Sequence, residues 1–142
     1  MKACTAAPVD EAIARSLADQ FIVFLETGEP PAGLFQPDVL CDFTMPLWRI
    51  QAQGPEGVVA LRRAGHPAPG QVVRPRFDPT ATGFVLEFEE RWTQAGTDWY
   101  CREMARADVV DGAISAVSVY CTGDWDEALQ ARHACEVALL RP

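Results

Sequence analysis

The chain has 142 residues, 49% hydrophobic and 23% charged, which is the composition of one folded domain and not of a disordered segment. Acidic residues outnumber basic ones 20 to 12, a formal net charge of -8, so nucleic acid and anionic lipid are poor partners. No run approaches the ~20 apolar residues of a membrane span and no secretory apolar region opens the chain, so a cytoplasmic protein without a membrane partner is expected.

In chain order, Asp10 is placed to cap a first helix, with Glu11 complementing its positive end. Ile13, Leu17, Phe21 and Phe24 recur at helical spacing, Val23 and Leu25 widen the stripe, and Thr27-Gly28 ends it before Pro30-Pro31. Ala32 to Phe35 suggests a short further turn of helix. A β-rich run from Asp38 to Met45 stops at Pro46, and Trp48 to Gln53 pairs back onto it as a hairpin. Gly54-Pro55-Glu56-Gly57 opens another helix, Val58 to about Ala64. Four strand-like runs follow: Gln71 to Asp78, Phe84 to Thr93, Trp99 to Val110 and Ile114 to Thr122. Their short connections imply antiparallel neighbours, and Asp111-Gly112 is the sharpest hairpin signal. Asp124 to Leu139 closes the chain as a helix. The result is one α+β domain over residues 1–142, in which a curved antiparallel sheet wraps around the N-terminal helices and forms a cone with one pocket.

This order of elements resembles the nuclear transport factor 2-like superfamily, in particular its SnoaL-like and ketosteroid-isomerase-like members. The resemblance is carried by Phe24-Leu25-Glu26-Thr27-Gly28, Leu34-Phe35-Gln36-Pro37-Asp38-Val39, Gln53-Gly54-Pro55-Glu56-Gly57-Val58 and Asp111-Gly112-Ala113-Ile114, with a last strand ending near Tyr120 and Asp124. It implies a cone-shaped fold, often dimeric through the outer face of the sheet, and usually no metal or organic cofactor. Relatives include isomerases, aldol cyclases, epoxide hydrolases and dehydratases, so fold alone does not fix function. Of three catalytic positions in ketosteroid isomerases, the tyrosine falls at Phe21, the first aspartate at Phe43 and the inward acid at Glu103. Two of those roles are unfilled here, which argues against steroid isomerase chemistry.

The strand Trp99 to Val110 presents Trp99, Cys101, Glu103, Ala105 and Ala107 on one face, a single carboxyl among small and aromatic residues. Desolvation would keep such a carboxyl available as acid or base near neutrality; the alternative is a structural ion pair with Arg74 or Arg102. On Phe84 to Trp92, Phe84, Leu86 and Phe88 share one face, and Val85, Glu87, Glu89 and Arg91 the other. Glu87 therefore either faces solvent or lines the cone. Asp42, between Cys41 and Phe43, must be paired or functional, with Arg49 and Arg102 as available partners. His66 follows the second helix and either reaches over the cone as a base or caps that helix. Phe21, Phe43, Trp48, Trp99, Arg102, Tyr120 and Trp125 are the candidate ligand contacts, Trp48 and Trp125 standing beside strand ends.

The five cysteines, Cys4, Cys41, Cys101, Cys121 and Cys135, are odd in number and never at C-x-x-C spacing, so free thiols are expected and neither a disulfide framework nor a metal site. No nucleophile triad or phosphate loop emerges. The expected function is cofactor-independent acid–base chemistry on a small organic metabolite: cyclisation, dehydration, isomerisation or epoxide opening. Glu103 would act first, with Glu87, Asp42 or His66 beside it. The alternative is a small-molecule-binding or dimeric scaffold module of the same fold.

Overall fold

Asp10 starts the first helix, as its position predicts: its carboxylate accepts from the amides of Ala12 at 2.9 Å and Ile13 at 3.2 Å. In the computed structural model, which describes residues 6–141, this helix α1 spans Glu11–Thr27. It ends at Gly28, whose left-handed φ of 75° lets its amide donate to Phe24 O at 2.8 Å. The buried stripe is Ala14, Leu17, Ala18, Phe21, Phe24 and Leu25; Ile13 and Val23 are exposed, so two alanines carry the contact the sequence reading gave to larger residues. Small side chains there let the helix backbone approach the sheet.

The sheet consists of β1 (Phe35–Met45), β2 (Trp48–Gln53), β3 (Gly70–Thr80), β4 (Gly83–Gln94), β5 (Thr97–Val110) and β6 (Ala113–Cys121). Helix α2 (Gly54–Gly65) separates β2 from β3, and α3 (Glu127–Glu136) follows β6. The spatial order is β2-β1-β6-β5-β4-β3. Four of the five pairings are antiparallel, but β1 runs parallel to β6, so the sheet is mixed and not wholly antiparallel. The long excursion through α2 and β3–β5 brings the chain back beside β1 in the parallel sense, which a hairpin cannot do. Ala32 to Phe35 is a turn leading into β1 and not a further helix, and α3 is shorter at both ends than Asp124 to Leu139.

Register shifts at Val73/Arg76, Asp108/Val109 and Phe35/Leu40 mark bulges or irregularities that bend and twist the strands, curling the sheet into an open cone. Asp111 and Gly112 both have positive φ, 49° and 77°, as the two-residue β5–β6 turn requires. Gly83 is needed for contact rather than conformation: a Cβ there would stand 2.1 Å from Ala107 O on the neighbouring strand. Helices α1 and α2 pack on the concave face over Val39, Phe84, Leu86, Phe88, Ala105, Ala107, Ile114 and Val117, all buried. No helix among the described residues is long and apolar enough to cross a membrane.

Candidate active site

The concave face does not close completely over its core. A cavity of about 280 Å³ remains between α1, α2 and strands β1, β2, β5 and β6. Its wall is mostly apolar, with Phe21, Phe24, Phe43, Ile50, Val58, Val117 and Val119; Arg62, His66 and Glu103 are the ionisable groups that break it, with Cys41 as a thiol. Thus the three positions aligned by the resemblance, Phe21, Phe43 and Glu103, converge on one space.

Glu103 points inward because β5 alternates, burying Cys101, Glu103, Ala105 and Ala107 on one face. It is 5% exposed. Neither Arg74 nor Arg102 pairs with it: Arg74 lies by Glu89 and Arg102 bonds Glu87. Burial, followed by the charge of Glu90, holds the Glu103 carboxyl well above the usual carboxylate range.

Glu90 was not anticipated. It extends the buried Phe84-Leu86-Phe88 alternation by two residues, and it is 3% exposed. Arg62, one turn beyond Val58 on α2, reaches it with two bonds, Nη2 to Oε1 at 2.5 Å and Nη1 to Oε2 at 3.0 Å. The same guanidinium donates to Leu25 O at 2.5 Å, satisfying a carbonyl in the last turn of α1. Burial alone would raise Glu90, but hydrogen bonds from His66 and Arg62, with the guanidinium charge, overcome it and bring the carboxyl down to about 2.

His66 stands one further turn along the same face. Its Nε2 is 3.1 Å from Asp124 Oδ1, and its Nδ1 is 2.9 Å from Arg62 Nη1 and 3.3 Å from Glu90 Oε2. Nδ1 therefore sits between a donor and an acceptor: the neutral ring accepts from Arg62, the charged ring donates to Glu90. Burial opposes the charged form, but the hydrogen bonds to Asp124 and Glu90 outweigh it and push the ring up to about 9. The Trp92 ring covers the imidazole at 4.2 Å.

Two thiols adjoin this network. Cys101 is fully buried, with Sγ 3.9 Å from Glu90 Oε2. The hydrogen bond from the Cys101 thiol brings Cys121 down to about 7, and the Gly123 amide also donates to its sulfur at 3.3 Å. Ligand-type atoms of His66, Glu90 and Cys101 lie within 4.8 Å of one another, as do those of Cys101, Cys121 and Asp124.

The other sequence candidates stand away from the cavity. Asp42 alternates outward and is clamped by Arg49 at 2.5 and 2.8 Å, the first of its two foreseen partners. Glu87 and Arg102 face each other at 3.4 Å on the convex side, where Trp125 lies edge-on to Tyr100. Trp48 and Tyr120 are exposed, and Trp99 stacks on Trp92 outside the cavity. Asp42, Glu87, Arg102 and Tyr120 follow from strand alternation, and Trp125 forms a bridge with Tyr100 after the turn at Gly123; Trp48 and Trp99 share a face with Ile50 and Glu103 but stand at the strand ends, beyond the cavity. Of the cysteines, Cys41 and Cys101 are buried and unpaired, Cys121 is partly buried and Cys135 exposed; Cys4 lies outside the described residues.

No protein-family profile and no curated protein sequence matches the chain. Solved structures do. An NTF2-like protein from Anabaena variabilis superposes with a TM-score of 0.67 at 20% identity, over 80% of this chain and 89% of that one. A candidate ketosteroid isomerase from Kribbella flavida gives 0.58 at 16% identity, over 92% of each chain. A candidate polyketide cyclase from Xanthomonas campestris pv. campestris gives 0.62 at 18%, over 77% of this chain and 90% of that one. At these identities the likeness establishes the fold: the chain has the NTF2-like fold.

Proposed function

We propose that this chain of NTF2-like fold is a cofactor-independent enzyme that performs acid–base chemistry on a small, largely apolar organic metabolite bearing an oxygen function. The observation that carries this reading is a buried carboxyl, Glu103, in the wall of an apolar cavity of about 280 Å³, where desolvation favours its protonated form. That volume is near the lower end for small-molecule pockets, roughly 300–1,000 Å³.

Glu103 donates its proton to a carbonyl, epoxide or leaving hydroxyl oxygen of the bound molecule. The resulting carboxylate takes a proton back from an adjacent carbon or from water, which restores the acid. Arg62 and His66 border the same cavity and stabilise negative charge developing on that oxygen. Glu90 acts through its neighbours: it fixes Arg62 and His66, and its charge favours the protonated form of Glu103. The likeness to candidate isomerases and cyclases favours substrates with enolisable carbonyls. On the convex face, exposed Met104 and Tyr120 support a homodimer formed through the sheet.

The test is proton exchange in deuterium oxide. A panel of small ketones and β-dicarbonyl compounds is incubated with the protein and α-proton loss is followed by NMR. Wild type is expected to exchange at least one of them, and Glu103→Gln to be slower by about 10²-fold or more. Ligands that bind without exchanging would make the cavity a binding site only, and equal exchange with Glu103→Gln would remove Glu103 as the acid.

A further inference from the structure

We propose that Cys101, Cys121 and Asp124 form a zinc-binding site beside the cavity. No spacing in the sequence announces it, because its ligands come from β5 and the end of β6, and the fold brings them together. The sulfurs of Cys101 and Cys121 and a carboxylate oxygen of Asp124 lie within 4.8 Å of one another, and His66 Nε2 is 3.1 Å from Asp124 Oδ1. Around a tetrahedral zinc ion, sulfur, nitrogen and oxygen ligands are roughly 3.3–3.8 Å apart, so closure requires shifts of about 1 Å. Two thiols and a carboxylate, with water in the fourth position, form a donor set suited to zinc rather than to magnesium or calcium.

The scaffold holds these donors firmly. Cys101 lies on the inward face of β5, and Cys121 pairs across the ladder with Glu103. Gly123, with φ 83°, turns the chain so that Asp124 follows, and the Tyr100–Trp125 bridge anchors the next residue to β5. A second observation points the same way. His66 Nε2–H donates to Asp124 Oδ1 at 3.1 Å, while its Nδ1 stands between Arg62 Nη1 at 2.9 Å and Glu90 Oε2 at 3.3 Å. A hydrogen bond of this kind orients a metal-ligating carboxylate. Asp124, with 38% of its side chain exposed, gives an ion a way in, while fully buried Cys101 forms the closed side. Binding releases the thiol protons to solvent.

This site excludes Glu103 and needs no substrate, so it stands or falls separately from the acid–base reading. The experiment uses the full chain carrying Cys4→Ser and Cys135→Ser, stripped with a chelator and titrated with Zn²⁺ against a chromophoric chelator, then with Co²⁺. The expected result is one ion per chain, a thiolate-to-cobalt charge-transfer band, and tetrahedral d–d bands in the visible. Cys121→Ser and Asp124→Asn are each expected to weaken binding by at least about tenfold while the far-ultraviolet circular dichroism is unchanged. Absence of the charge-transfer band, or equal affinity in Cys121→Ser and Asp124→Asn, overturns the proposal.

Discussion

Replacing Arg62 with methionine removes the charge that faces Glu90 while keeping most of the apolar stem that packs between α1 and the sheet. The side chains of Arg62 and Glu90 are only 11% and 4% exposed, so water cannot take the place of the lost partner. Breaking a buried pair in this way costs about 3–5 kcal/mol. His66 remains beside Glu90 at 3.3 Å and moderates the loss, whereas the orphaned Leu25 carbonyl adds to it. The expected destabilisation of Arg62→Met is therefore about 4 kcal/mol. Urea unfolding followed by tryptophan fluorescence measures it. The double variant Arg62→Met/Glu90→Gln removes both charges and should recover at least about half of that loss. A cost of Arg62→Met below about 1 kcal/mol, or a double variant as unstable as the two single losses combined, would refute the buried pair as the organiser of the site.

Stability should also depend on pH through His66, whose folded value of about 9 lies above the ordinary 6.5. A raised value means the stabilisation is complete below 6.5 and is lost as pH rises through 9, by at most about 3 kcal/mol; comparing urea midpoints with those of His66→Gln isolates it. Gly83→Ala drives a methyl onto the Ala107 carbonyl and is expected to destabilise by about 2 kcal/mol or more, read as a lowered thermal midpoint. Asp10→Ala removes two capping bonds of α1 and should cost about 1 kcal/mol in the same assay.

Much of the fold was legible because local signals agree with it. The Asp10 cap, the Gly28 stop, Pro55 opening α2 and the Asp111-Gly112 turn all act within a few residues, and each stands where the sequence placed it. Parallel pairing of β1 with β6 was not legible, since nothing near Val39 or Val117 encodes which strand lies alongside. At the site, Glu103 was visible from strand alternation. The same rule carried two residues past Phe88 reaches Glu90, and helical spacing from Val58 through Arg62 to His66 marks one face of α2. Each signal was present, but a charged residue ending an apolar series looks like a boundary until its partner on another element is known. Trp125 and Glu87 went to the convex side for a related reason. Alternation sorts residues into two faces without saying which is concave, and Trp125 bridges to Tyr100 after the turn at Gly123.

The central claim is that the cavity contains a usable acid, and a carbon-13 NMR titration of the Glu103 carboxyl tests it most directly, with Glu103→Gln to assign the signal. The account predicts an apparent pKa well above that of a solvated glutamate and a signal shifted by ligands that enter the cavity. Titration at or below the ordinary glutamate value, with no response to any ligand, would contradict it.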